Sequence, residues 1–281
     1  MIGRTASHMR VGSDVPGRIT RLPGGVAMNI AMTLRRFGMR PALLSAIGRD
    51  TQGDALVAEA QRMGLICDHL YRSDDLPTDV YMAIEGANGL IAAIADAHSL
   101  EAAGDKILRA LADGRLGQAD KPFSGPVALD GNLTEDLLQK IAVSPLFAHA
   151  DLRVAPASPG KAARLLALMD HPTATLYVNL EEAGLLCQTT FDTSDAGAAG
   201  LLARGAHRVI VTDGGNAASE GTQDDIISQT PPPVMVTRVT GAGDTFMAAH
   251  IASEAQGMDR AAALTRALNA AATYVSGETP L

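Results

Sequence analysis

Residues 24–54 read GGVAMNIAMTLRRFGMRPALLSAIGRDTQGD, and the spacing of apolar residues changes twice within them. Val26, Ile30, Leu34 and Phe37 recur at three- and four-residue steps, which predicts an amphipathic helix closed by Gly38. The apolar run Ala42 to Ile47 is short enough for a buried strand. Ala55, Leu56, Ala60 and Met63 then resume helical spacing until Gly64 stops it. Strand alternating with helix is the rhythm of a parallel sheet covered by helices.

Further along the chain the same rhythm returns. It predicts strands at Pro126 to Asp130, Leu152 to Ala155, Thr175 to Val178 and His207 to Thr212. Helices are predicted near 134–143 and 160–169, and two closing helices over 242–256 and 259–275. The implied architecture is a doubly wound, mostly parallel α/β sheet. Residues 78–95 break the rhythm: Val80, Met82 and Ile84 alternate, GANG turns the chain, and LIAAIA follows. That pattern predicts a β-hairpin, which has no place in a parallel sheet and is read as a small projecting lid. The acidic stretch between Gly215 and the prolines 231–233 is expected to be irregular.

A chain of 281 residues, 47% hydrophobic and 19% charged, is long enough for one large α/β domain or two small ones. The formal net charge of -8, with no Lys/Arg run, argues against a nucleic acid polymer as partner and points to small molecules. Cys67 and Cys187 stand far apart in no C-x-x-C pattern, so neither a disulfide framework nor a zinc cluster is expected. No apolar run approaches the roughly 20 residues of a membrane span, and MIGRTASHMR lacks a secretory apolar segment. A cytoplasmic protein without membrane partners is expected.

Three loops could carry chemistry. Thr240-Gly241-Ala242-Gly243-Asp244 opens a helical run, and small residues at a helix start leave backbone N–H groups uncovered for an anion. Asp244 would lie in that first turn, placed to take a proton from an attacking hydroxyl. The alternative is a tight turn with an acidic helix N-terminus. Asn179-Leu180-Glu181-Glu182 offers an amide and a carboxylate three residues apart, enough to organise a hydrated Mg²⁺, though a helix cap has the same spelling. Thr212-Asp213-Gly214-Gly215 follows a strand, and its glycines would let backbone approach a phosphate or ribose closely.

Gly24, Gly25, Asn29, Gly38, Ser45, Gly48, Asp50 and Gly53 together resemble the first signature of the ribokinase (PfkB) family. TGAGD resembles its second, and the two stand in the family's order. The resemblance implies one ribokinase-like domain over 1–281 with a small β lid built from about 9–22 and 66–97. It implies ATP and Mg²⁺, is compatible with a monovalent cation such as K⁺, and makes Gly241, Ala242 and Gly243 the anion hole with Asp244 as base. Asn179 and Glu182 would hold Mg²⁺ through water, and Thr212, Gly214, Gly215, Thr240 and Asn269 would line the nucleotide. Gly24, Gly25 and Asn29 would face the acceptor. A lid with an exposed edge also invites pairing of two copies.

Within the family the chain is most similar to pseudouridine kinases, in SDVPGRI at 13–19, TDVYMAIEGANGLIAAIAD at 78–96, LDGNL at 129–133, and Pro156-Ala157-Ser158 with Lys161. Asp130, Asn132, Ser158 and Lys161 thereby become acceptor-side candidates, and transfer of the ATP γ-phosphate to the 5′-hydroxyl of pseudouridine is the implied reaction. Each of the four could equally be a helix cap or a solvated loop residue. Kinases for ribose, another nucleoside or a sugar remain as alternatives.

The family's sheet begins with a strand ending in an Asp that holds acceptor hydroxyls. Aligning Ser13 to Ile19 puts Met1 just after that Asp, so the strand and its carboxylate are expected to be missing. An inactive nucleotide- or metabolite-binding relative is the alternative this raises. Other departures are Val178, Ala155, Met28 and His250, and the histidine is read as a packing residue.

Overall fold

The computed structural model describes residues 1–10, 12–87 and 89–277. The chain opens with β1 (Ile2–Arg4), β2 (Arg18–Thr20), α1 (Val26–Arg36), β3 (Ala46–Gly48), α2 (Thr51–Arg62) and β4 (Tyr71–Ser73). The hairpin β5 (Tyr81–Gly86) and β6 (Gly89–Ala95) follows, then α3 (His98–Ala103) and α4 (Arg109–Ala112). Next come β7 (Pro126–Asp130), α5 (Glu135–Val143), β8 (Asp151–Ala155), a 3₁₀ segment (Pro159–Leu168), β9 (Ala174–Asn179), α6 (Leu180–Cys187) and α7 (Ser194–Ala203). The chain closes with β10 (Arg208–Thr212), β11 (Ala218–Thr222), β12 (Ile226–Gln229), α8 (Ala242–Ala255) and α9 (Arg260–Ser276).

Six strands form the main sheet in the order β12-β11-β10-β9-β8-β7, with β7 to β10 parallel and β11 and β12 antiparallel. Side-chain alternation divides its core between two faces. Leu176, Val178, Val209 and Val211 pack with Leu138, Ile141, Leu165 and Leu186 on one side. Tyr177 and Ile210 turn the other way, onto Ile30 and Leu34 of α1, Phe246 and Met247 of α8, and Leu264 of α9. Each fully buried Leu or Ile contributes about 1.5–3 kcal/mol through removal from water.

β3 and β4 pair in parallel as a separate two-stranded sheet, and β7 is the last strand of the six. The parallel layer is therefore divided among the described residues, with Ala46 of β3 and Leu129 of β7 in one core cluster but no ladder between them.

The lid is a four-stranded sheet in the order β2-β1-β5-β6. The expected hairpin forms as β5 and β6, with Ala83 opposite Ala93; its turn residue Asn88 lies outside the described residues. The expected lid limits need correction. Ile2–Arg4 belongs to the lid, paired with β2 and β5, while Tyr71–Ser73 pairs with β3 instead. Ile19, Met82, Ile84 and Ile94 of the lid are exposed.

Two other expectations change. The segment near 160–169 is 3₁₀ rather than α-helical, entered through Ala157 at φ 68 and Pro159. The acidic stretch after Gly215 is not irregular: it holds β11 and β12, whose buried members include the polar Ser219 and Glu220 beside Ala218.

Candidate active site

The parallel strands end in register. Asp130 closes β7 opposite Ala155 of β8, and Asn179 closes β9 opposite Thr212 of β10. Four candidate loops thus leave the C-terminal edge of one sheet, where α/β sheets bind ligands.

α1 starts above this edge with Gly25 as its N-cap at φ 102, a conformation that excludes most side chains. A Cβ added at Gly24 or Gly25 would meet open space, so this corner is free for a ligand. One turn into the helix, the Asn29 side-chain amide donates to Asp244 Oδ2 at 2.8 Å, joining residues 215 positions apart.

Asp244 lies in the first turn of α8, whose N-cap is Gly241 at φ 91. Ala242 N–H donates to Val239 O (3.0 Å) and Thr245 N–H to Gly241 O (3.0 Å). The N–H groups of Gly241, Gly243 and Asp244 have no partner among the described residues. A Cβ at Gly243 would meet nothing within 4 Å. The open amides are thus those of Gly241, Gly243 and Asp244, while that of Ala242 is engaged by Val239. Burial pushes the Asp244 carboxyl up to about 6, the neighbouring Asp130 adds to the rise, and the Asn29 hydrogen bond opposes it.

Asp130 is itself raised by burial, against hydrogen bonds from the Asn132 and Ala27 amides and the charge of Lys161. Its Oδ1 accepts from Asn132 N–H (2.7 Å), and Lys161 Nζ donates to Asn132 Oδ1 (2.5 Å). Gly131 is required here, because a Cβ would stand 2.2 Å from Pro156 O. Arg164, which the sequence reading passed over, donates to Gly131 O (3.1 Å) and Leu133 O (3.1 Å) and so pins this loop. Its position, three residues past Lys161, gave no signal, since only the 3₁₀ winding turns it onto the loop. Ser158 precedes that segment and makes no side-chain cap.

Asn179 and Glu182 form a capping box: Asn179 Oδ1 accepts from Glu182 N–H (2.8 Å) and Glu182 Oε2 from Asn179 N–H (2.9 Å). The cap reading of N-x-x-E is therefore correct, and it leaves Asn179 Nδ2 and Glu182 Oε1 outside the box. Burial raises the Glu182 carboxyl. Beyond Thr212, a Cβ at Gly214 (φ 55) or Gly215 would meet open space. Asn269 lines a groove of about 560 Å³ with Gln229, Met258, Thr265 and Arg266. A second depression of about 250 Å³, lined by His149, Asp151, Thr173 and Arg208, sits at the opposite edge of the sheet and holds none of the candidates.

His250 is not a simple packing residue. Fully buried in α8, it contacts Tyr177 OH (2.9 Å, Nδ1) and Glu220 Oε2 (3.3 Å, Nε2). Glu220, His250 and Glu254 could together face a metal ion. The two carboxylates, however, are already paired with Arg153, Arg208 and Arg260. Three guanidiniums neutralise the cluster and leave a cation nothing to compensate.

Residues 1–279 match the family model described as pfkB family carbohydrate kinase. Pseudouridine kinase of Escherichia coli is 27% identical over 88% of this chain and 77% of its own length. Fructoselysine 6-kinase of the same organism is 24% identical over 90% of this chain and 89% of its own. In three dimensions the chain resembles Arabidopsis thaliana ribokinase complexed with ribose and ATP, with a TM-score of 0.77 at 19% identity, covering 98% of this chain and 88% of that one.

Proposed function

Because the chain belongs to the pfkB family of carbohydrate kinases, and so transfers phosphate from ATP to a small-molecule alcohol, we propose that its acceptor is a nucleoside 5′-hydroxyl, that of pseudouridine. The observation that carries the mechanism is the first turn of α8, where amides without partners among the described residues adjoin a desolvated carboxylate. Amides fixed at a helix start stabilise the charge of a transferring phosphoryl group without reorganising. Asp244, with its carboxyl near 6, is largely ionised at neutral pH yet basic enough to accept the hydroxyl proton. Asn29 holds that carboxylate in place by its 2.8 Å bond.

The residues fit a polyphosphate. A Cβ at Gly24, Gly25, Gly214, Gly215 or Gly243 would meet nothing within 4 Å, so each admits close backbone approach. Mg²⁺, when bound, would neutralise phosphate charge, and Glu182 Oε1, which takes no part in the capping box, suits contact through water. On the acceptor side, Asp130, Asn132 and Lys161 form a bonded chain that presents carboxylate, amide and ammonium together, the groups needed for ribose hydroxyls and uracil edges. Pseudouridine is favoured over a free sugar by the resemblance in residues 78–96 and 129–133 together with the 27% identity to a pseudouridine kinase. The near-equal identity to fructoselysine 6-kinase favours a sugar derivative as the second reading.

ADP formation should be measured with pseudouridine, uridine, adenosine, ribose and fructose in turn. Pseudouridine is expected to give the highest kcat/KM. Preference for a sugar over the nucleosides selects the second reading, and silence on pseudouridine rejects the proposed acceptor.

A further inference from the structure

We infer that Tyr274, held by Arg238, aims the Gly241 amide at the phosphate, which makes both residues positioning residues for the transfer; the inference rests on the function proposed above. Four residues separate the end of α8 from the start of α9, so the two helices fold back on each other and the last turn of α9 reaches the first of α8. The final carbonyls of a helix lack intrahelical partners. In α9 they receive the segment leading into the phosphate turn. Thr237 N–H donates to Val275 O (2.8 Å), and Arg238 Nε donates to Tyr274 O (2.7 Å). The Arg238 guanidinium also covers the Tyr274 ring, with Cζ 3.9 Å from the ring centroid. A cation there is favoured both by the ring and by the negative end of the helix.

The ring so fixed ends in a hydroxyl that donates to Thr240 O (2.8 Å). Thr240 C=O and Gly241 N–H are two ends of one planar peptide, and in a trans peptide they point in opposite directions. Holding the carbonyl against Tyr274 therefore turns the Gly241 N–H away from α9, and that N–H has no partner among the described residues. The same contact excludes any side chain at 241: a Cβ there would stand 2.7 Å from the Tyr274 hydroxyl. Tyr274 thus fixes both the direction of one open amide and the glycine that carries it.

Tyr274→Phe keeps the ring and its stacking and deletes only the hydroxyl. It is expected to lower kcat about tenfold, less than the roughly 10²-fold cost of deleting an anion-hole donor outright, and to leave the acceptor KM unchanged. Arg238→Lys keeps the charge but loses the Nε donor and the planar stack, and should lower kcat by less, with Arg238→Ala lowering it more. In the absence of ATP, amide hydrogen exchange over 241–245 should quicken in Tyr274→Phe while Tm stays close to that of the parent. A Tyr274→Phe protein equal to the parent in kcat and exchange overturns the inference, as does a loss seen as raised acceptor KM or lowered Tm. If the parent itself transfers no phosphate, the proposed function fails, and the exchange comparison alone still decides whether the clamp exists.

Discussion

At the start of α8 the amides of Gly243 and Asp244 face no acceptor among the described residues, and the Asp244 carboxyl is held near 6. Two turns later the same helix carries His250 and Glu254, where every charge is matched. Arg153 reaches Glu254 (2.5 Å), Arg208 pairs with both Glu254 and Glu220, and Tyr177 contacts His250 (2.9 Å). Buried polar groups left without partners are costly. One helix thus concentrates its unmet hydrogen-bonding capacity at its N-terminal end, the end proposed to face the phosphate, and satisfies the charged groups further along, so polarity alone does not distinguish working groups from supporting ones.

Replacing Asp244 with Asn should break the contrast most sharply. Turnover is expected to fall by about 10²–10⁴-fold, the contribution of a positioned base, with ATP affinity nearly unchanged by titration calorimetry. Glu220→Ala strikes the satisfied end. Burial works to raise this carboxyl, but the His250 hydrogen bond and the Arg208 charge outweigh it and bring it down to about 2. Removing one partner from a buried network costs about 3–5 kcal/mol, so the denaturation midpoint should drop while kcat per folded molecule holds. Because the folded value lies below the ordinary one of 4.5, the wild-type contribution is complete above pH 4.5 and disappears as pH falls toward 2. The smallest effect is on pH dependence. kcat/KM should rise with pH through about 6 as Asp244 ionises, and Asp130→Asn, by removing a like charge, should move that midpoint downward.

Much of this was legible in sequence because the signals are local. The strand Pro126–Asp130 has the predicted limits, and TGAGD opens a helix as its small residues imply. The N-x-x-E spelling carried its capping box openly. What escaped depends on distant partners. β11 reads ASEGT, with no apolar alternation, since its buried Ser219 bonds Ser194 and Ser228 and its Glu220 meets arginines from two other elements. The three-residue strands of the lid are shorter than any period can register. Arg164 and Tyr274 act on loops 31 to 34 residues away, and no spacing rule reaches that far.

Gly131 sets a limit on how the proposed acceptor loop can adapt. With Pro156 O only 2.2 Å from where its Cβ would be, the exits of β7 and β8 fit without slack, and Arg164 bolts the first of them down. Neither loop can yield alone to a bulkier guest. If this loop lines the acceptor as proposed, tolerance for guest size must come from other elements, so variants chosen for larger acceptors should leave residues 130–133 as they are.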